Sequence, residues 1–356
     1  VTAQRCLLIA DDLTGGADAG AQFAKRGLRT LLISLQEDAK TCFPTHTDQD
    51  VFVVNTDSRG LHPEKAFLKV SNLLRSFDQK LFPIIYKKID STLRGNIGYE
   101  IDAILKETNG SLCFMTPTYP EQKRTLIGGI LIVGEKPLAQ TEVARNTISP
   151  IQESHVYKIL QNQSSNKVGW IDLTHVASNI EGLQKAVETE QKKGNRIIIF
   201  DAVTRNDLRN IAEVGFSMEK KPLFVGSAGL AEEVAKKLVP SKAKTSEKIQ
   251  PFRHILIVSG TASSVTHQQL EHVGRRSLFS FPLNRSLITG EEKKTQEEKK
   301  ELAHNIANAL SLGITVLRAP LEILSSKDST ESPLHLRITK TLASVALLAL
   351  RASKIK

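Results

Sequence analysis

Short apolar runs alternate along this chain with longer segments of helical periodicity. Runs rich in β-branched residues occupy 5–10, 29–33, 51–54, 82–86, 111–115, 196–200 and 222–225 and read as strands. Helix-like spacing covers about 17–26, 62–77, 97–107, 176–192, 204–218 and 228–238. The alternation predicts an α/β fold, a mostly parallel sheet with helices on its faces. Residues 125–150, rich in glycine and polar side chains, predict a β-hairpin excursion of the kind that caps a site. The polar, lysine-rich stretch Pro240–Lys248 has no apolar periodicity. A second α/β pattern follows: strand 254–258, helix 263–275, strand 278–281, helix 292–311, strand 314–318 and helix 334–350. The expected organisation is a first α/β domain over 1–240, a linker over 241–250 and a second α/β domain over 251–356.

Composition narrows the classes. At 356 residues the chain should form more than one domain. It has no apolar run long enough to span a bilayer, and Val1–Arg5 lacks the apolar centre of a secretion signal. There are three cysteines and no C-x-x-C. Cys6 and Cys113 sit in strand-like runs and are expected as buried thiols, so a reducing cytoplasm is the simplest reading. The net charge of +10 raises nucleic acid as a partner. Against that, the lysines are dispersed, aromatics are 5% of residues, and no zinc-finger spacing occurs. The expected partners are small anions, with neither nucleic acid nor membrane. Self-association is left open. The nine histidines form no H-x-x-x-H, so no protein-held metal is expected.

Two strand ends carry the chemistry. Ala10-Asp11-Asp12-Leu13-Thr14-Gly15-Gly16 follows the first strand and precedes a helix. In an open α/β sheet such a turn lies where ligands bind. Adjacent carboxylates there are costly unless a cation, a proton or substrate hydroxyls satisfy them. An aspartate helix cap with a glycine turn is the competing reading. Lys88-Ile89-Asp90-Ser91-Thr92-Leu93-Arg94-Gly95 follows the fourth strand. Arg94 could clamp a carboxylate through paired hydrogen bonds, Lys88 adds a point charge, and Asp90 and Ser91 suit sugar hydroxyls. Asn55–Gly60, with Ser58 and Arg59, ends the third strand; a helix-capping turn is its alternative.

Together these motifs resemble the four-carbon acid sugar kinase family. A-D-D-x-T-G, K-x-D-S-T-x-R-G and Thr116-Pro117-Thr118-Tyr119-Pro120 carry the likeness. Arg124-Thr125 with Gly128-Gly129, Val133–Leu138, Thr141-Glu142 with Ala144-Arg145, Gly226–Leu230 and Val258-Ser259-Gly260 extend it in order. The resemblance implies an ATP-dependent kinase acting on threonate, erythronate or a 3-oxo-tetronate, with Mg2+ carried by the nucleotide. It implies substrate contacts at Asp11, Asp12, Ser58, Arg59, Lys88, Asp90, Ser91 and Arg94, and nucleotide contacts at Ser259 and Gly260. Thr261-Ala262 departs from the Ser-Cys common in relatives. Asp12 is expected as the base, since it lies further into the turn, while Asp11 is free to bond its own backbone.

Two other classes compete. One is a non-catalytic sugar-acid or nucleotide binder, which ATP consumption would separate. The other is a dinucleotide enzyme, disfavoured because no strand leads into G-x-G-x-x-G. The resemblance further implies a strand beyond helix 334–350 and a G-G-[DE]-T turn for ATP phosphates. The sequence as given stops at Lys354-Ile355-Lys356, so an incomplete kinase with poor ATP affinity is expected.

Overall fold

The computed structural model describes residues 5–34, 48–145, 151–238, 252–261, 264–274, 278–289, 292–319 and 334–353. The chain divides into two compact units, Val1–Ser246 and Glu247–Lys356. The linker expected at 241–250 lies outside the described residues.

Along the first unit the strands are β1 (Cys6–Ala10), β2 (Thr30–Ser34), β3 (Val51–Asn55), β4 (Ile84–Lys88), β5 (Cys113–Thr116), β6 (Arg124–Ile127), β7 (Ile130–Val133), β8 (Lys136–Pro137), β9 (Val168–Ile171), β10 (Ile197–Phe200) and β11 (Leu223–Gly226). The helices are α1 (Leu13–Ala24), α2 (Pro63–Arg75), α3 (Ile97–Glu107), α4 (Val156–Gln163), α5 (Leu173–Val176), α6 (Ile180–Lys192), α7 (Arg205–Ser217) and α8 (Ala228–Leu238). Eight strands pair, all parallel, in the order β2-β3-β1-β4-β11-β5-β10-β9. The others form the antiparallel β6-β7-β8 sheet, the hairpin excursion that the sequence predicted.

A parallel strand covered on both faces must be apolar at successive positions. In β1, Cys6, Leu8 and Ala10 join one core with Ala19 and Phe23 of α1. Leu7 and Ile9 join the other with Val70 and Leu74 of α2 and Ile101 and Ile104 of α3. Helices α1 and α2 therefore cover opposite faces. β1 is flanked by β3 on one side and β4 on the other. The carboxyl ends of β1 and β4 thus bound a topological switch point, where open α/β sheets leave a crevice for ligands.

Several elements depart from expectation. α1 begins at Leu13, so Gly15 and Gly16 are helical rather than part of a turn. Close packing overrides glycine's poor propensity: a Cβ on Gly16 would meet Ala10, Leu32 and Val53 at 3.2–3.3 Å. The helix expected over 176–192 is two helices, α5 capped by Asp172 and α6 by Asn179. β9 and α4 were not expected. β9 has only four residues, one of them glycine, and α4 mixes polar and apolar side chains.

The second unit contains β12 (Ile255–Ser259), α9 (Ser264–Gly274), β13 (Leu278–Pro282), α10 (Arg285–Thr289), α11 (Glu292–Leu312), β14 (Ile314–Arg318) and α12 (Leu334–Ala352). Its strands pair in parallel as β12-β14-β13. Leu287, Ile306, Leu317, Leu342 and Val345 form its core. Short α10 is the element that the periodicity did not predict. Cys6 and Cys113 are buried free thiols. No helix among the described residues is long and apolar enough to cross a membrane.

Candidate functional site

The ends of β1, β4 and β11 surround a cleft of about 150 Å³. It is lined by Asp12, Thr14, Gly15 and Asp18 of the first turn and α1, by Arg59, and by Lys88, Asp90, Ser91 and Arg94 after β4. Tyr119, Ser227 and Ala228 complete it. Six residues singled out from sequence therefore meet in one place, although they lie on three separate strand ends. A larger cleft nearby, about 390 Å³, shares Arg59 but contains none of the aspartates. The smaller one holds the charged chemistry.

Arg59 organises the first two acids. Its Nε and Nη2 donate to Asp11 at 2.7 and 3.0 Å, and Nη2 also donates to Asp12 Oδ1 at 2.6 Å. One guanidinium thus bridges two adjacent carboxylates that would otherwise repel each other. Burial opposes the charge on Arg59, but its hydrogen bond and proximity to Asp11 outweigh that and hold its pKa above the ordinary value. Gly95 permits this approach. Its φ is +98°, and a Cβ there would meet Asp11 Oδ2 at 3.1 Å and Arg59 Cγ at 3.2 Å.

Asp12 is both helix cap and cleft wall. Its Oδ1 accepts from the Gly15 amide at 3.1 Å, so the two readings of this aspartate coincide. Asp11, expected as a substrate contact, is 2% exposed; its carboxylate is taken up by Arg59, and it is not among the residues that line the cleft.

Ser58 was also expected as a substrate contact. It is fully buried, and its hydroxyl donates to Glu100 Oε1 and lies 2.7 Å from that of Thr56. It belongs to the interior beneath the cleft. Glu100 in turn pairs with Lys87 at 2.9 Å, both within 1% of complete burial. Burial pushes the Glu100 carboxyl above its ordinary value, with Lys87 opposing. Sequence reasoning missed both residues. The available signal was Lys87-Lys88 at the end of an apolar strand, since alternation must send one of two successive side chains to the opposite face.

Arg94 binds Asp90 through Nε at 2.6 Å and Nη2 at 3.1 Å. One edge of its fork is thus occupied within the protein. Burial disfavours the Asp90 charge, yet Arg94 and Arg59 outweigh burial and hold that carboxyl well below the usual range. Lys88 is buried, with Nζ donating to the Ile89 carbonyl at 2.8 Å. Burial pulls its pKa down against the attraction of Asp11 and Asp90. Gly15 leaves room for it, since a Cβ there would lie 2.9 Å from Lys88 Nζ. Ser91 faces the cleft. Asp18 was not foreseen, though it stands one turn beyond Thr14 on the same helix face.

Gly226–Leu230 is closely packed: a Cβ on Gly229 would meet the Thr118 carbonyl at 2.9 Å, and the Gly229 amide bonds Ser227 Oγ at 3.1 Å. In the second unit, Ser259 ends β12 and is buried, while Gly260 is exposed beyond it. Among the described residues no three His, Cys, Asp or Glu side chains gather as a metal site.

Residues 6–234 match the family model described as the sugar-binding N-terminal domain. The chain is 33% identical over 269 residues to D-erythronate kinase of Heliobacterium modesticaldum, covering 75% of this chain and 60% of that protein. It is 32% identical over 271 residues to D-threonate kinase of Salmonella typhimurium, again 75% and 60%. A 3-oxo-tetronate kinase of Haemophilus influenzae is 26% identical over 268 residues, 74% and 63%. The chain thus spans about 60% of the length of these curated relatives. Among solved structures, a Salmonella typhimurium LT2 protein superposes with TM-score 0.75 at 22% identity, covering 97% of this chain and 80% of that one. A Haemophilus influenzae protein of the DUF1537 family gives TM-score 0.70 at 21% identity, 97% and 83%. The chain belongs to the four-carbon acid sugar kinase family.

Proposed function

We propose that the cleft between β1 and β4 binds a four-carbon sugar acid, and that the protein phosphorylates a hydroxyl of it with ATP. The observation that carries this reading is the gathering of Asp12, Lys88, Asp90, Ser91, Arg59 and Arg94 at one switch point. The cleft has roughly the liquid volume of five waters, at ~30 Å³ each, which suits a small polar acid. The names of the relatives support the same substrate class.

The roles follow from charge and exposure. Arg94 keeps N–H groups beyond the two given to Asp90 and meets the substrate carboxylate. Asp90 and Ser91 accept from hydroxyls. Both recorded contacts of the Asp12 carboxylate fall on Oδ1, so Oδ2 is the atom to take the proton of the attacking hydroxyl. Lys88 screens charge that develops on the acceptor oxygen. Asp11 holds Arg59 in place rather than touching substrate. Bound ATP would supply the phosphoryl group, and its Mg2+ would offset phosphate charge. Ser259 and the exposed Gly260, at a strand's carboxyl end, have donor chemistry that suits a nucleotide; among the described residues a Cβ on Gly260 would meet only Leu342 within 4 Å, at 3.5 Å.

The test is a panel of erythronates, threonates and 3-oxo-tetronates, each titrated calorimetrically without nucleotide and assayed for ADP release with it. One member is expected to bind and to drive ADP release. Binding without ADP release would leave a sugar-acid binder, and binding by none would overturn the reading.

A further inference from the structure

Behind the cleft lies a buried polar chain of Lys87, Glu100, Ser58 and Thr56, none of which lines it. Lys87 Nζ lies 2.9 Å from Glu100 Oε2 and donates to the Lys88 carbonyl at 3.0 Å. Glu100 Oε1 accepts from Ser58 Oγ. Thr56 Oγ1 sits 2.7 Å from Ser58 Oγ and donates to the Ala10 carbonyl at 2.8 Å. The Ser58 carbonyl accepts from Asn96 Nδ2 at 3.1 Å, and the amides of Ser58 and Arg59 both reach the Asp11 carbonyl, at 3.0 and 3.2 Å. The chain therefore runs from the last carbonyls of β1 and β4 to the residue that precedes Arg59.

Stability does not call for two charges at this depth. Desolvating an ion pair costs so much that an apolar pair of like volume is usually neutral or stabilising. What an apolar pair cannot supply is a fixed acceptor for Ser58. Without Glu100 the Ser58 hydroxyl is left with Thr56 Oγ1, which already donates to the Ala10 carbonyl, and the Ser58–Arg59 backbone loses its tie to α3.

We propose that the Lys87–Glu100 pair is a brace that positions the cleft: Glu100 fixes Ser58, Ser58 fixes the backbone at Arg59, and Arg59 sets Asp11 and Asp12. Lys87 and Glu100 are positioning residues. The link to substrate rests on the cleft being the sugar-acid site; the link to Arg59 does not.

The experiment reads Arg59 directly. In protein labelled with 15N-arginine, the Arg59 Nε–H, held by Asp11, gives a signal protected from solvent exchange. Lys87→Met/Glu100→Leu is expected to keep or raise Tm, while Arg59 exchanges about tenfold faster and the tightest-binding tetronate binds about tenfold more weakly. Lys87→Met/Glu100→Gln retains a carbonyl acceptor for Ser58 and should stay within about threefold of the parent in both readouts. Unchanged Arg59 protection in Lys87→Met/Glu100→Leu overturns the brace. If that variant does not fold, Ser58→Ala cuts the same tie alone and is expected to show the same loss; unchanged protection there overturns the proposal equally. If the unmodified protein binds no four-carbon acid, the functional reading falls while Arg59 exchange still decides the brace.

Discussion

Two strand ends on the carboxyl edge of the same sheet hold buried aspartates in opposite ways. At the end of β4, Asp90 is gripped by the side chains of Arg94 and Thr92, beside a cleft. At the end of β10, Asp201 is 1% exposed and accepts from the amides of Gly128 and Gly129 at 2.7 and 3.0 Å and from Trp170 Nε1 at 3.0 Å. The glycines form the tip between β6 and β7, so Asp201 pins the hairpin to the sheet. Burial and position do not separate these aspartates; their partners do. Backbone amides and a packed indole are fixed by the fold and leave nothing for a ligand to displace. A guanidinium at a cleft wall keeps donors in reserve and can be shared with a substrate anion.

The sharpest break would come from turnover. In protein that phosphorylates a tetronate, Asp12→Asn is expected to reduce kcat by about a hundredfold or more, the scale of a lost general base. Asp201→Asn should leave kcat within a few-fold of the parent. Steady-state ADP release measures both, and equal losses would erase the distinction between the two strand ends.

Affinity sharpens it next. Arg94→Ala should weaken sugar-acid binding by about 2–3 kcal/mol, the scale of a charge-assisted contact. Arg94→Lys should recover little, because an ammonium lacks the planar fork. Calorimetric titration with the acid alone reads this, and near-normal affinity in folded Arg94→Ala would remove Arg94 from the site. The converse holds at the hairpin. Asp201→Ala strands two glycine amides and should lower unfolding free energy by about 1–3 kcal/mol, measured in urea, with little change in sugar-acid affinity.

The two strand ends also differ in how far the sequence reveals them. Apolar runs such as Cys6–Ala10 and Val51–Asn55 are legible because strands buried on both faces leave no polar position. The acids and bases after β1 and β4 are legible because polar residues crowd the end of such a run. Which of them face the cleft is not. Asp11 and Asp12 are neighbours; Arg59, 48 and 47 residues away in sequence, takes both oxygens of Asp11 but only Oδ1 of Asp12, and Asp12 alone caps α1. The same holds for Ser58, whose partner Glu100 is 42 residues distant. Asp201 carries no local signal, since its partners come from a hairpin 72 and 73 residues earlier. Long-range pairing decided each case that local pattern left open.

The smallest effect is a difference in pH slope, and its sign follows from the causes of the shifts. Burial would raise the Asp90 carboxyl, but Arg94 and Arg59 dominate and its pKa lies below the ordinary value. The folded protein then binds fewer protons than the unfolded chain as pH falls below about 4, the ordinary aspartate value. The stability contributed by ionised Asp90 is complete above that value and is lost as pH drops toward the folded one. Asp201 is the reverse. Burial outweighs its hydrogen bonds from Trp170, Gly129 and Gly128, and its pKa lies above the ordinary value. Ionising Asp201 therefore costs folding stability, a cost relieved as pH falls through its raised value toward about 4. Urea unfolding across acid pH should give difference curves of opposite sense. The deficit of Asp90→Asn relative to the parent should shrink below about pH 4. That of Asp201→Asn should grow as pH falls from neutrality toward the same point. Parallel curves for the two variants would mean that the surroundings of these aspartates do not differ in the way their partners indicate.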